Sequence, residues 1–541
     1  MARGTLSAYE LERRNYRLEV PEYFNFARDV LSRWARDPAR SALIWADERG
    51  HRQELSFRQV AQRSSKLADG LARLGIKKGD RVLAIIPPEP AWWEVFMALF
   101  RLGAIVAPGT SQLTARDIQY RLDLAEASTI IADESAAART DESPGERPAL
   151  RIVVGEREGW HSYREVLTSG SEGFEGVKTR SDDPAILYFT SGTTGYPKMV
   201  LHTHASYPIG HTVTGKFWLD LTPNDLHWNL SDTGWAKAAW SSLFGPWSMG
   251  SAVFVYRQYG KPDPVKILSQ FAEHRITSFC AAPTMYRMLV QTDLTKYDYD
   301  SLRSCVAAGE PLNPEVIDTW RRATGLTIRD GYGQTETVVL VANFPGLDVR
   351  PGSMGKPSPG YTIDVVGDHG ETLPPNKEGD IAVRVRPERP VGMFREYWQN
   401  AEATHGAFRG DWYITGDRAF RDEDGYFWFV GRSDDVIISA AYRIGPFEVE
   451  SALVEHPAVA EAAVVGKPDA ERGEIVKAFV TLAPGYEGSE ALARELQDHV
   501  KNVTAPYKYP REIEFVEELP KTISGKIRRV ELREQERQRA G

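Results

Sequence analysis

Thr190 to Lys198 reads TSGTTGYPK, and the stretch just before it, Ala185 to Phe189, reads AILYF. The apolar run has strand length, so the loop is expected to leave the end of a buried strand. Gly192 and Gly195 let the backbone amides turn inward, while Thr190, Ser191, Thr193 and Thr194 add hydroxyls and Lys198 adds a positive charge. Successive amides form an anion-binding nest, and bonds to a charged acceptor contribute about 1.5–3 kcal/mol each, so the loop suits a polyphosphate. Pro197 stiffens its exit. The spacing is neither a Walker loop nor a kinase glycine loop. Its plain alternative is a surface turn of small polar residues.

The rest of the chain limits what such a loop can serve. At 541 residues, with 42% hydrophobic and 26% charged residues, it is expected to form a few domains with ample core. A net charge of −9 argues against a general nucleic-acid binder. Cys280 and Cys305 cannot make a disulfide framework, which favours a reducing cytoplasm. The first twenty residues hold no signal-peptide core, and the best apolar run, Val95 to Pro108, is interrupted by Arg101 and too short to span a bilayer. A homo-oligomer is neither indicated nor excluded.

Along the chain, Val60, Leu67, Leu71 and Leu74 share a helical face closed by Gly75. Asp80 to Pro87 reads as a buried strand, Pro90 to Leu102 as an aromatic-rich helix. The alternation of strand and helix favours an α/β layered sheet. Glu134 to Pro148, polar with proline and glycine, reads as a loop. His202, His204 and His211 match no standard zinc spacing and read as core or hydrogen-bonded histidines. In SDTGWAKAAWSSLFGPW, Ser231 to Trp247, the aromatic residues Trp235, Trp240, Phe244 and Trp247 have helical spacing, usually a core stripe. Lys237 beside them runs to solvent, the commoner fate, or reaches a polar group on a substrate.

Further stretches follow in order: VAAGEPLNPE (Val306 to Glu315), DGYGQTE (Asp330 to Glu336), YITGD (Tyr413 to Asp417), GRSDDVI (Gly431 to Ile437) and PKTISGKIRR (Pro520 to Arg529). Taken with the loop, these motifs resemble the adenylate-forming superfamily, most closely its medium-chain acyl-CoA synthetases, from about Tyr23 to Arg529. The resemblance implies an α/β fold: a large multi-subdomain N-terminal domain of layered sheets and helices over residues 1–433, and a small mobile α+β domain over 434–541. It places Trp235, Lys237, Gly333 and Val338 at the acyl pocket, and Gly309, Glu310 and Pro311 against adenine. In DGYGQTE, Tyr332 packs on adenine, Thr335 contacts phosphate and Glu336 holds Mg²⁺, with Asp330, Gly331 and Gln334 also at the nucleotide. Asp417 accepts from both ribose hydroxyls with Arg432 as partner, Asp434 is the hinge, and Lys526 bridges carboxylate and α-phosphate.

The activity implied is a two-step ligation. A carboxylate, a medium-chain fatty acid first, attacks ATP to give acyl-AMP and pyrophosphate; CoA then displaces AMP while the small domain rotates, exchanging Lys526 for the segment Ser439 to Gly445 with Arg443. The family usually has glycine where this chain has Ala441, which narrows the thiol passage by one methyl and is expected to be accommodated. Val338 likewise stands where glycine is common. Alternatives are an aryl- or branched-acid CoA ligase, and an acyl-adenylate enzyme serving a carrier protein. A non-catalytic binder would be expected to lack Lys526 or Glu336.

Overall fold

The computed structural model describes residues 8–190, 198–439, 442–469, 472–522 and 525–540, apart from the side chains of residues 8, 443, 506 and 540. Ser191, Gly192, Thr193, Thr194, Gly195 and Ala441 therefore lie outside the described residues, as does the Arg443 side chain.

Among the described residues three sheets form. The strands Arg81–Ile85, Ile105–Pro108, Thr129–Asp133 and Leu150–Val154 run parallel, with Pro184–Thr190 joining beside Ile105–Pro108. Lys198–Thr203 returns antiparallel beside it, Thr190 facing Lys198. A larger, 14-stranded sheet carries a parallel centre that includes Leu226–Leu230, Ser278–Ala281, Ser304–Ala308 and Ile328–Gly333, then turns antiparallel through Val339–Ala342 and Ser353–Pro357 to Trp412–Arg421 and Phe427–Arg432.

Helices fill the space between these sheets. Helix Pro90–Leu102 starts on a proline, where a missing N–H costs nothing, and is buried almost all round, as its uniformly apolar sequence requires. Residues 236–249 continue one helix that widens to a π turn at Trp240–Phe244; Phe244 and Trp247 are fully buried while Trp235 and Trp240 keep some exposure. Both join the core that links the two sheets. No helix of the described residues is long and apolar enough to cross a membrane.

The third sheet pairs Val459–Asp469 with Gly473–Leu482, flanked by helices Pro446–Val454 and Glu490–Val503. Leu492, Leu496 and Val500 form the buried stripe of the second helix. The segment from Glu134 to Pro148 is not all loop. Helix Glu134–Asp141 forms because Asp133 caps it, accepting from the Ala136 amide at 2.9 Å, and because Ala136 and Ala137 pack inward. A cap and three alanines were the signal that polar composition obscured.

Candidate active site

The carboxyl ends of both large sheets open onto one cleft of about 1530 Å³, walled also by the third sheet's domain. Thr190, Lys198, Trp235, Gly309, Glu310, Pro311, Asp330 to Glu336, Asp417, Arg432, Asp434 and Lys526 line it. The motif residues described are thus gathered into one space, as ligand sites of open α/β sheets usually are.

Each wall has a local cause. Gly309 ends the strand Ser304–Ala308 at φ +109°, a conformation side chains rarely adopt, and nothing lies within 4 Å where a Cβ would point. That leaves an open face for a flat ring. Glu310 beside it accepts from Thr284 Oγ1 at 2.8 Å and pairs with Arg287 at 2.9 Å, two partners that carry no motif signal of their own. Gly331 gives way to the Trp218 ring behind it, and Gly333 to the Val338 carbonyl. Val338 itself is 1% exposed, its Cγ1 packed toward Gly210 and Gly392, in the core beside the cleft.

Asp417 and Arg432 face one another across the strand pair Trp412–Arg421 and Phe427–Arg432, their side chains 3.3 Å apart. The turn Asp422 to Gly425 that aligns them has glycine at φ +86°, which closes the hairpin. Asp417 Oδ2 accepts from Tyr332 Oη at 2.6 Å and from Gln334 Nε2 at 2.7 Å; Tyr413 Oη in turn donates to Gln334 Oε1 at 3.0 Å. Burial pushes the Asp417 carboxyl up, while Arg432, these donors and the charge of Lys526 hold it down. Arg432 also lies 3.8 Å from Asp434.

Glu336 receives a 2.8 Å bond from Tyr397 Oη, and Lys198 Nζ stands 5.2 Å from the centre of that ring. Tyr397 was not found by motif; it lies 61 residues from Glu336 and reaches it because Glu396–Tyr397 pairs with Lys198–Thr203. Burial raises the Glu336 carboxyl. No group of three His, Cys, Asp or Glu side chains able to hold a metal occurs among the described residues. The Thr335 carbonyl accepts from His202 Nε2 at 2.7 Å; His202 Nδ1 meets Ser206 at 3.1 Å, and burial depresses this ring to about 4, keeping it neutral. His211 likewise bonds Thr214, and His204 packs edge-on to Phe100.

Lys237 does not run to solvent. Its ammonium turns inward and donates to the Ala308 carbonyl at 3.0 Å, because the helix beginning at Ala236 presents it to the end of the strand Ser304–Ala308. Burial lowers its pKa, with Glu310 and Asp330 opposing. Asp330, buried under the same loop, is pushed up to about 7 by burial, with its own Gly331 amide and Lys237 acting against the shift. Lys526 follows Gly525 at φ +86°, its amide donates to Thr522 Oγ1 at 3.0 Å, and it lines the cleft from the small domain.

Comparison with known proteins agrees with this layout. Residues 31–398 match the AMP-binding enzyme family and residues 448–526 the AMP-binding enzyme C-terminal domain. Acyl-coenzyme A synthetase ACSM3, mitochondrial, of Mus musculus is 50% identical, covering 98% of this chain and 93% of its own. Acyl-coenzyme A synthetase ACSM5, mitochondrial, of Homo sapiens is 49% identical, covering 96% and 91%. Among solved structures, the anthranilate CoA ligase AuaEII in complex with anthranoyl-AMP superposes with a TM-score of 0.88 at 34% identity, covering 96% of this chain and 99% of that one. An acyl-CoA synthetase of Brucella canis gives 0.76 at 33%, covering 99% and 100%.

The cytoplasmic location expected from two cysteines is overturned by these relatives, which are mitochondrial proteins by name. Cys280 and Cys305 are free and buried, a state that does not tell one reducing compartment from another. The remaining conclusion is one of kinship: motif order, cleft and full-length similarity agree, and the chain belongs to the AMP-binding enzyme family.

Proposed function

We propose that the chain is an ATP-dependent acyl-CoA synthetase that takes a medium-chain fatty acid through acyl-AMP to acyl-CoA. The observation that carries this reading is the convergence of Asp417, Glu310, Tyr332, Glu336 and the small domain's Lys526 on one cleft. In it, the ribose lies on Asp417, the adenine over Gly309 and between Glu310 to Pro311 and Tyr332, and the phosphates toward Thr190, Lys198 and the loop Ser191 to Gly195. The acid enters past Trp235 and Gly333.

Attack of the carboxylate on the α-phosphorus forms the acyl–phosphate bond and releases pyrophosphate. Such a transfer needs alignment and charge neutralisation more than covalent help. Lys526 supplies a cation between the two anions, Lys198 a second positive charge and Thr193 a neutral hydroxyl donor. A single buried carboxylate, Glu336, with one oxygen held by Tyr397, fits Mg²⁺, which takes few protein ligands and shares phosphate oxygens. Bound there, Mg²⁺ would neutralise phosphate charge. In the second step the CoA thiolate attacks the acyl carbon and AMP leaves, after the domain of residues 434–541 turns about Asp434 to bring Arg443 and Ala441 forward.

An aromatic or branched acid carrying a hydrogen-bond acceptor is the second reading, favoured by the inward ammonium of Lys237. Product analysis tests both. Purified protein with ATP and Mg²⁺ is offered straight-chain, branched and aromatic acids with and without CoA. Acyl-CoA and AMP in equal amounts support the ligase, and the preferred acid decides between the readings. Acyl-adenylate that ignores CoA would point to Ala441 and a carrier-protein acceptor. No adenylate from any acid would defeat the proposal.

A further inference from the structure

Helix Ala115–Ala125 begins with a capping box in which Thr114 and Asp117 each bond the other's amide, fixing its first turn. Ile118, Leu122 and Ala125 bury one face; Arg116 and Arg121 line the cleft with another. The Arg121 guanidinium stands 5.0 Å from the centre of the Phe189 ring, on the strand that ends at Thr190. Its Nη1 donates to a carbonyl of its own helix, Asp117 O, at 3.2 Å. Burial acts against its charge.

Among the described residues neither Arg116 nor Arg121 has an ion-pair partner. Asp117, the carboxylate with the largest influence on Arg121, is committed to the cap, taking bonds from the Thr114 amide and hydroxyl. The stretch Ser191 to Pro197 that follows Phe189 and Thr190 contains no acid either. A half-buried guanidinium without an anion carries a cost that an anion arriving with a ligand relieves, and its planar fork matches phosphate oxygens. Glu336, Tyr397 and Lys198 line the neighbouring wall, and Gln399 bonds Glu126 at 2.9 Å, tying that wall to the end of the same helix.

We propose that Arg121, assisted by Arg116, forms a phosphate-anion subsite at the outer end of the cleft that receives the β- and γ-phosphates of ATP and then the departing pyrophosphate. The inference rests on the reading of the cleft as an ATP site. The same chemistry could serve the 3′-phosphate of CoA, so the test separates the two sources. Full-length Arg121→Gln and Arg121→Lys proteins with matched thermal melts are compared with the parent for KM of ATP, inhibition by inorganic pyrophosphate, and KM of CoA and of dephospho-CoA.

Arg121→Gln is expected to raise KM for ATP and the pyrophosphate inhibition constant about tenfold, the worth of one charge-assisted bond pair, with partial recovery in Arg121→Lys and no change for CoA. A rise confined to CoA and absent with dephospho-CoA would overturn the triphosphate assignment. No change in any of these constants would overturn the subsite. Should the parent protein itself release no AMP from ATP, the ATP reading fails instead, and calorimetric titration of pyrophosphate into parent and variant judges the subsite separately: equal affinity overturns it.

Discussion

Replacing Asp417 by alanine should abolish most of the discrimination between a ribose and a dideoxyribose. The carboxylate is 4% exposed, and Oδ2 accepts from Tyr332 at 2.6 Å and Gln334 at 2.7 Å. A carboxylate offers about four acceptor positions, so roughly two remain for hydroxyls after these bonds. Hydrogen bonds to a charged acceptor contribute about 1.5–3 kcal/mol each, so two hydroxyls are worth at least about 3 kcal/mol, or roughly 10²-fold. The assay is the ratio of kcat/KM for ATP to that for 2′,3′-dideoxy-ATP, taken in parent and variant so that the cycle isolates the contact. The parent ratio should be on the order of 100 and the variant ratio below about 10. Loss of the anion also orphans Arg432, but that side chain is 42% exposed, so solvent limits the stability cost to about 1 kcal/mol. Asp417→Asn, which keeps the shape, checks that the fold survives. A folded alanine variant with undiminished discrimination would refute the ribose assignment and the reasoning behind it.

Other residues give independent outcomes. Asp330 has a folded pKa of about 7 against 3.8 for the free group, so its protonated form is the stabilised one: that stability is full below 3.8 and is lost as pH rises to about 7. Denaturant unfolding of Asp330→Asn and the parent should therefore diverge in the variant's favour by about 1.4 kcal/mol per pH unit across that window; a pH-independent difference would contradict it. Tyr397→Phe removes the bond that orients Glu336, and the Mg²⁺ concentration for half-maximal activity should rise about tenfold, whereas an unchanged titration would remove Glu336 as the metal ligand. Gly309→Ala meets no atom within 4 Å but forces alanine to φ +109°, so the melt should report a loss of about 1–3 kcal/mol from backbone strain alone, and a neutral melt would show that the turn relaxes.

Much of the scaffold was legible because its signals are local. Ala185 to Phe189 lies within strand Pro184–Thr190, and Pro90 to Leu102 is a helix over that same span. Val60, Leu67 and Leu71, which share a face by spacing, are buried together on helix Phe57–Arg73. What failed was set by distant contacts or by weak local cues. The direction of Lys237 depends on the Ala308 carbonyl, 71 residues away, and apolar spacing around the lysine carries no trace of it. Tyr397 and Arg287 were missed because each meets its partner, Glu336 or Glu310, in a turn distant along the chain. Helix Glu134–Asp141 was hidden by polar composition, although its aspartate cap was there to read. Compartment was misjudged because a cysteine count separates oxidising from reducing surroundings and goes no further.

The division of labour between the two steps is the account's central claim, and Lys526 tests it most directly. Lys526→Ala should be assayed twice: for AMP formation from ATP and the preferred acid, and for acyl-CoA formation from CoA and synthetic acyl-adenylate. Loss of one preorganised cation at the developing charge should slow the first reaction by about 10²–10³-fold, while the second stays within about threefold of the parent. Equal loss in both reactions, or none in either, would contradict the assignment of Lys526 to the adenylation step.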